Sequence, residues 1–222
     1  MSPVLDWEPG QNPAAEGTLN FYVEGRDPST GLRIMTDGRM LAPGNDALAW
    51  PTSEPAPPDH GMESWVYPPA LCTGGSAAVN GTRYLTKLYT RRARTSVAVH
   101  WAVTTAGASP VAGQNWVGIY SSAGVRLGQA GVDADISSSG AKRTVIAAAY
   151  DAGFVWVAWV FNAATPPTLA RAGSFETTPN AGLTAAALQF AVNGTSQTTL
   201  ASSLTPGSNS TSGALNWWAG LE

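Results

Sequence analysis

The sequence predicts an all-β protein: an antiparallel, jelly-roll-like β-sandwich preceded by an extended N-terminal arm carrying short hairpins. Three observations lead there. Apolar residues alternate with polar ones along most of the chain after residue 60, the period of a strand with one face buried. Gly, Pro and Asn-Gly turn signals separate these runs, and no helical period is sustained beyond a short candidate at residues 182–187. The third is the run at residues 154–161, FVWVAWVF, bounded by Asp-Ala-Gly before it and Asn-Ala-Ala-Thr-Pro-Pro after it. Eight residues are too few for a stable helix, and the β-branched and aromatic content favours a strand.

That run is expected to be the central strand. Alternation sends Phe154, Trp156, Ala158 and Val160 to one face and Val155, Val157, Trp159 and Phe161 to the other, so neither face suits water. One face calls for a facing sheet. The other calls for a loop, a second layer or another subunit, which makes Trp156, Trp159 and Phe161 candidates for an oligomer or second-layer face.

In chain order, residues 1–60 form the arm. Short strands are expected at 19–23, 32–35 and 40–41, with turns at 26–31 (RDPSTG) and 36–39, and then a stiff Pro-rich spacer at 54–58 (EPAPP). The sandwich occupies residues 61–222. A short strand at 64–67 and a loop at 71–80 (LCTGGSAAVN) precede two long strands. Residues 82–91 put Arg83, Leu85, Lys87, Tyr89 and Arg91 on one side, and Tyr84, Leu88 and threonines on the other. Residues 94–104 put Val97, Val99, Trp101 and Val103 on a core face opposite His100. A loop at 106–113 leads to a hairpin of 114–120 and 125–129, in which Trp116 and Tyr120 share a side. Residues 133–140 are read as loop and 143–149 as the strand before the central one. Strands at 168–172, 188–192 and 214–221 complete the sandwich; in the last, Leu215, Trp217, Ala219 and Leu221 face inward and Trp218 outward.

Charge divides the chain at the same place. Residues 1–60 hold nine acids against three bases, and residues 61–222 hold six against nine, giving −6 and +3 within a net −3. Nine of the 16 prolines also fall in the first segment. The single cysteine, Cys72, excludes an intrachain disulfide, so stability must come from burial or association. No apolar run is long enough to span a bilayer, and Met1-Ser2-Pro3 does not open a secretory leader, which predicts synthesis in a cytoplasm and no membrane insertion.

Catalytic signatures are thin. Cys72 with His100 could form a nucleophile–base pair, but no orienting carboxylate stands at a recognisable spacing. Asp133 and Asp135 lack the further acids of a calcium loop, and no phosphate-binding glycine motif occurs. The Asn-x-Ser/Thr triplets at Asn80, Asn193 and Asn209 read as turns. No catalytic, cofactor or metal site is expected, and the modest basic charge excludes a nucleic-acid role. Binding surface is a different matter. Seven of the nine tryptophans follow residue 60, more than one core needs. Trp116, Tyr120 and Trp218 are therefore candidates for glycan or subunit contact, joined by the cations Arg83, Lys87 and Arg91.

Between residues 103 and 173 the blocks VTTAGA (103–108), AGQNWVGIY (112–120), SAGVRLG (122–128) and FN…TPPTLAR (161–171) resemble a domain of minor tail and tail-fibre proteins from phages of actinobacteria, and YLTKLYTRR (84–92) fits its preceding strand. The resemblance implies an adhesin-type β-sandwich, often trimeric, in the virion. Residues 1–60 would attach to other virion proteins, and the sandwich would face host cell-surface glycan at the tail tip. A capsid decoration or head-spike protein is the alternative, and an enzyme degrading cell-wall polymer is the third reading, for which no paired acids of the glycosidase kind can be picked out. The chain departs from longer fibres in having neither coiled-coil nor collagen-like repeats.

Overall fold

The computed structural model describes residues 56–173 and 178–222, together with three short strands from the segment before them. The chain divides into two compact units, Met1–Glu54 and Pro55–Glu222. In the first, β1 (Thr18–Phe21), β2 (Leu32–Met35) and β3 (Met40–Leu41) form an antiparallel meander in that order. The turns expected at 26–31 and 36–39 lie outside the described residues.

The second unit is an antiparallel β-sandwich. Its strands are β4 (Ser64–Trp65), β5 (Cys72–Ala77), β6 (Tyr84–Thr90), β7 (Arg94–Thr105), β8 (Ala108–Pro110), β9 (Trp116–Ser121), β10 (Arg126–Gly131), β11 (Gly140–Tyr150), β12 (Gly153–Val160), β13 (Ala163–Thr165), β14 (Thr168–Ala172), β15 (Phe190–Val192) and β16 (Gly220–Leu221). One sheet runs β10-β9-β12-β6-β15, which puts the apolar run at 154–161 in the central strand. The other is built on β7. β11 pairs along one edge of β7, while β16 with β4 and β14 with β5 share the other edge. A small ribbon of β8 and β13 lies beside them.

Alternation places the core between the two sheets. Tyr84 and Leu88 of β6, Val155, Val157 and Trp159 of β12, and Val117 and Ile119 of β9 meet Val99, Trp101 and Val103 of β7 with Trp217 and Leu221 from the C-terminal segment. The indoles keep polar partners: Trp101 Nε1 donates to Thr144 Oγ1 at 2.9 Å and Trp217 Nε1 to Ser76 Oγ at 2.8 Å. Trp159 and Trp217 meet edge to face, with ring centroids 5.8 Å apart. Each such fully buried side chain contributes about 2–3 kcal/mol of apolar transfer, which is how a unit with no disulfide holds together.

The other face of β12 is covered by the same chain. Trp156, Ala158 and Val160 pack with Leu85 and Tyr120 beneath Leu188, Ala191, Leu200 and Leu204. Residues 197–204 run across the sheet as a strap. Gln197 N donates to Gly81 O, Tyr120 Oη to Ala201 O, Arg126 N to Ser202 O and Leu204 N to Gly124 O. Trp156 and Phe161 are wholly buried within one chain, as is Trp159. Of the oligomer or second-layer face expected for these three residues, Trp159 and Phe161 lie instead in the core between the two sheets, and Trp156 is covered by a second layer of the same chain, with no other subunit needed to bury it. The physical reason is that a polar-looking stretch carries isolated leucines, and these drop onto the sheet while its Ser and Thr residues face water.

Other differences follow from backbone chemistry. Residues 71–80 were expected as loop, yet Cys72–Ala77 is an edge strand paired with β14. Gly75 marks close approach rather than a turn: a β-carbon there would run into Thr104 Oγ1. The candidate helix at 182–187 is a single 3-10 turn, Ala185–Ala187. The Pro-rich spacer ends in another, Pro57–His60, where Asp59 Oδ2 accepts from Ala56 N at 2.8 Å. In the last segment only Gly220–Leu221 forms a ladder, although Trp217, Ala219 and Leu221 face inward as expected.

Candidate functional site

Exposure rises along the outer face of the central strands toward one end. On β6 the outward series passes from buried Arg83 and Leu85 to half-buried Lys87, and then to exposed Tyr89 and Arg91. Antiparallel to it, Val160, Ala158 and Trp156 of β12 are buried, whereas Phe154 is 50 % exposed and Tyr89, directly opposite, is 54 % exposed. The strap stops short of this end, leaving an aromatic corner uncovered.

Cross-strand register makes the corner. Phe154 pairs with Tyr89, so their rings meet edge to face with centroids 5.2 Å apart. Trp156 pairs with Lys87, whose ammonium lies 4.8 Å from the Phe154 ring centroid and 4.9 Å from that of Trp156. Lys87 Nζ also donates to the carbonyls of Ala187 at 3.3 Å and Ala186 at 3.4 Å, at the end of the 3-10 turn. Asn180 fixes the chain leading back from that turn: its Oδ1 accepts from Gln189 N and Phe190 N, and its Nδ2 donates to Phe190 O. Burial lowers the Lys87 pKa below its ordinary value. Arg91 has no ion-pair partner among the described residues. Arg92 and Arg94 both reach Glu63 Oε2, at 3.3 and 3.1 Å.

The structure separates the residues expected to make contacts. Lys87 and Arg91 lie at this corner. Arg83 is buried instead, donating from Nε to Asn193 O at 2.7 Å and from a terminal nitrogen to Asn193 Oδ1 at 3.1 Å. Tyr120 is buried under the strap, and Trp218, turned outward by alternation, is only 8 % exposed, with Nε1 donating to Tyr67 O at 2.9 Å. These three are corrected to structural roles; in each case chain from elsewhere covers the outward face. Trp116 is half-buried, its Nε1 shared between the carbonyls of Gly113 and Thr198. Phe154 was missed as a contact residue, because alternation alone groups it with Trp156 and cannot show where a cover ends.

The remaining candidates have local partners. His100 Nε2 lies 3.0 Å from Glu222 Oε2, while burial pushes the Cys72 thiol pKa up. Asp133 accepts from Gly113 N and Asn115 Nδ2, each at 2.7 Å. Among the described residues no group of acids, histidines and cysteines could hold a metal. Asn80, Asn193 and Asn209 join the loop network: Asn80 brackets the Ala163 backbone, and Asn193 donates to Asn209 Oδ1.

Compared with family models, curated proteins and solved structures, the chain gives no match. The corner therefore has to be interpreted from its own chemistry: two exposed rings, one ammonium held against them and one guanidinium with no ion-pair partner among the described residues.

Proposed function

We propose that this chain is a virion structural protein, a minor tail or receptor-binding subunit whose sandwich meets host-surface glycan and performs no covalent chemistry. The observation that carries this reading is the exposed Tyr89–Phe154 pair with Lys87 and Arg91, set at the end of a sheet whose middle is covered by its own strap. Flat rings with adjoining hydrogen-bond donors suit a sugar, which offers CH-rich faces and oxygen acceptors. The resemblance of residues 103–173 to actinobacterial phage tail proteins supplies the setting, with residues 1–60 attaching to other virion proteins. Among the described residues no helix is long and apolar enough to cross a membrane.

A homotrimer belongs to this reading, with its contacts elsewhere than Trp156, Trp159 and Phe161. Gold-labelled antibody against the protein, applied to intact particles, tests the placement. Label at the tail tip is expected. Label over the head would replace the reading with a capsid decoration or spike protein, and particles free of label would overturn it.

A further inference from the structure

The cations at the aromatic corner outnumber the acids. Lys87, Arg91, Arg92 and Arg94 lie on or beside the end of β6, against Glu63 and Asp151. Glu63 is taken by Arg92 and Arg94, and the Asp151 carboxylate makes no ion pair with Lys87 or Arg91. Lys87 and Arg91 are thus left without a carboxylate partner among the described residues. They flank Tyr89 along one strand face, four residues apart, a backbone separation of about 13 Å. Two positive charges at that distance, with aromatic rings between them, match an extended polyanion better than a single small anion.

The rings choose between kinds of polyanion. Tyr89 and Phe154 offer flat apolar surface that a pyranose can cover with its CH face, and Lys87, with two of its three N–H groups given to the 186 and 187 carbonyls, keeps one donor for a ligand. A peptide has less to hold. β15 pairs with β6 only as far as Thr86 and β9 with β12 only as far as Val155, so the open backbone at the corner is a stretch of a few residues on each strand and gives an added strand little to pair with. We propose that this corner binds a polysaccharide whose sugars carry carboxylates, a uronate polymer. The inference rests on the host-surface reading above and narrows its ligand class.

Binding of the full chain to four immobilised polymers tests this: hyaluronan, dextran, a polyglycerol-phosphate teichoic acid and poly-L-glutamate. Hyaluronan should bind at least about tenfold more tightly than each of the others, and the affinity should fall about tenfold or more when NaCl is raised to about 0.5 M. Phe154→Ala and Arg91→Gln, both at exposed positions, should each weaken hyaluronan binding by about tenfold while melting as the wild type does. Equal binding to dextran would overturn the charge selectivity and leave the host-glycan reading standing. Preference for teichoic acid or polyglutamate would overturn the uronate in favour of a polyol phosphate or an acidic protein. Unchanged hyaluronan binding in both variants would move the site off this corner and refute the proposal. If hyaluronan is not bound while the fluorescent protein still coats actinobacterial host cells, this inference alone fails; if the cells are not coated either, the host-surface reading fails with it.

Discussion

Gly118 on β9 lies directly beneath Leu200 of the strap. A β-carbon on Gly118 would stand 2.6 Å from Leu200 Cδ1 and 2.9 Å from the Gly128 carbonyl oxygen. The glycine is what lets the strap reach the sheet and close over Trp156. Gly118→Ala is expected to destabilise the protein by about 1–3 kcal/mol through overpacking, and Leu200→Ala by about 2–5 kcal/mol through the cavity it leaves. Thermal unfolding read by tryptophan fluorescence checks both, and variants that melt as the wild type does would show that the strap is not part of the core.

Arg83 is a second support under the same cover. It is 6 % exposed and lies against Asn193, with no carboxylate partner among the described residues. Arg83→Ala should cost about 3 kcal/mol, because it strands the Asn193 carbonyl and amide oxygens under the strap. Arg83→Met strands the same oxygens but fills similar space and leaves a smaller cavity, so it should cost less. Chemical denaturation of the two variants gives the order, and a Met variant weaker than Ala would contradict it.

Glu222 supplies a pH dependence. Arg143 donates to both of its carboxylate oxygens, from Nε at 2.6 Å and from a terminal nitrogen at 2.7 Å, and His100 lies 3.0 Å from Oε2. The Arg143 hydrogen bonds first, and then that of His100, hold the carboxyl at about 2, below its ordinary 4.5. A carboxylate with a depressed folded-state pKa stabilises fully above its unfolded value, and that contribution is lost as pH falls through the folded one. The wild type should therefore exceed Glu222→Gln in stability at pH 6, with the gap closing between about pH 4.5 and 2. The group is near the surface, so the gap is small. A difference that stays constant across this range would show that the carboxylate is not so held.

Cys72 should be a slow thiol. Burial raises its pKa, so less thiolate forms near neutral pH. Iodoacetamide labelling at pH 8, followed by intact mass, should proceed several-fold more slowly than for a free cysteine peptide. Faster labelling would reopen Cys72 as a nucleophile.

What the sequence made legible was whatever depends on alternation within a strand. The two faces of residues 154–161, the inward set Val99, Trp101 and Val103, and the return strand at 168–172 all follow from a period of two. What it hid depends on contacts distant in the chain. Leu200 and Leu204 sit among Ser and Thr with no periodic signal, so the cover over Trp156 could not be read, and a loop, a second layer and another subunit all stayed open. For the same reason Tyr120 and Arg83 looked exposed. Gly75 of β5 imitated a turn, because a glycine needed for close approach and one needed for a bend look alike in sequence. Phe154 became a site residue only once its register with Tyr89 was known.

The account stands or falls on the uncovered corner of β6 and β12. The direct measurement is adsorption of the fluorescent full chain to host cells, comparing the wild type with a Tyr89→Ala/Phe154→Ala double variant, and with Trp116→Ala as a control on the strapped side. The double variant should lose at least about nine-tenths of the adsorption while folding normally, and Trp116→Ala should retain it. Full adsorption by the double variant, or loss confined to Trp116→Ala, would contradict the account.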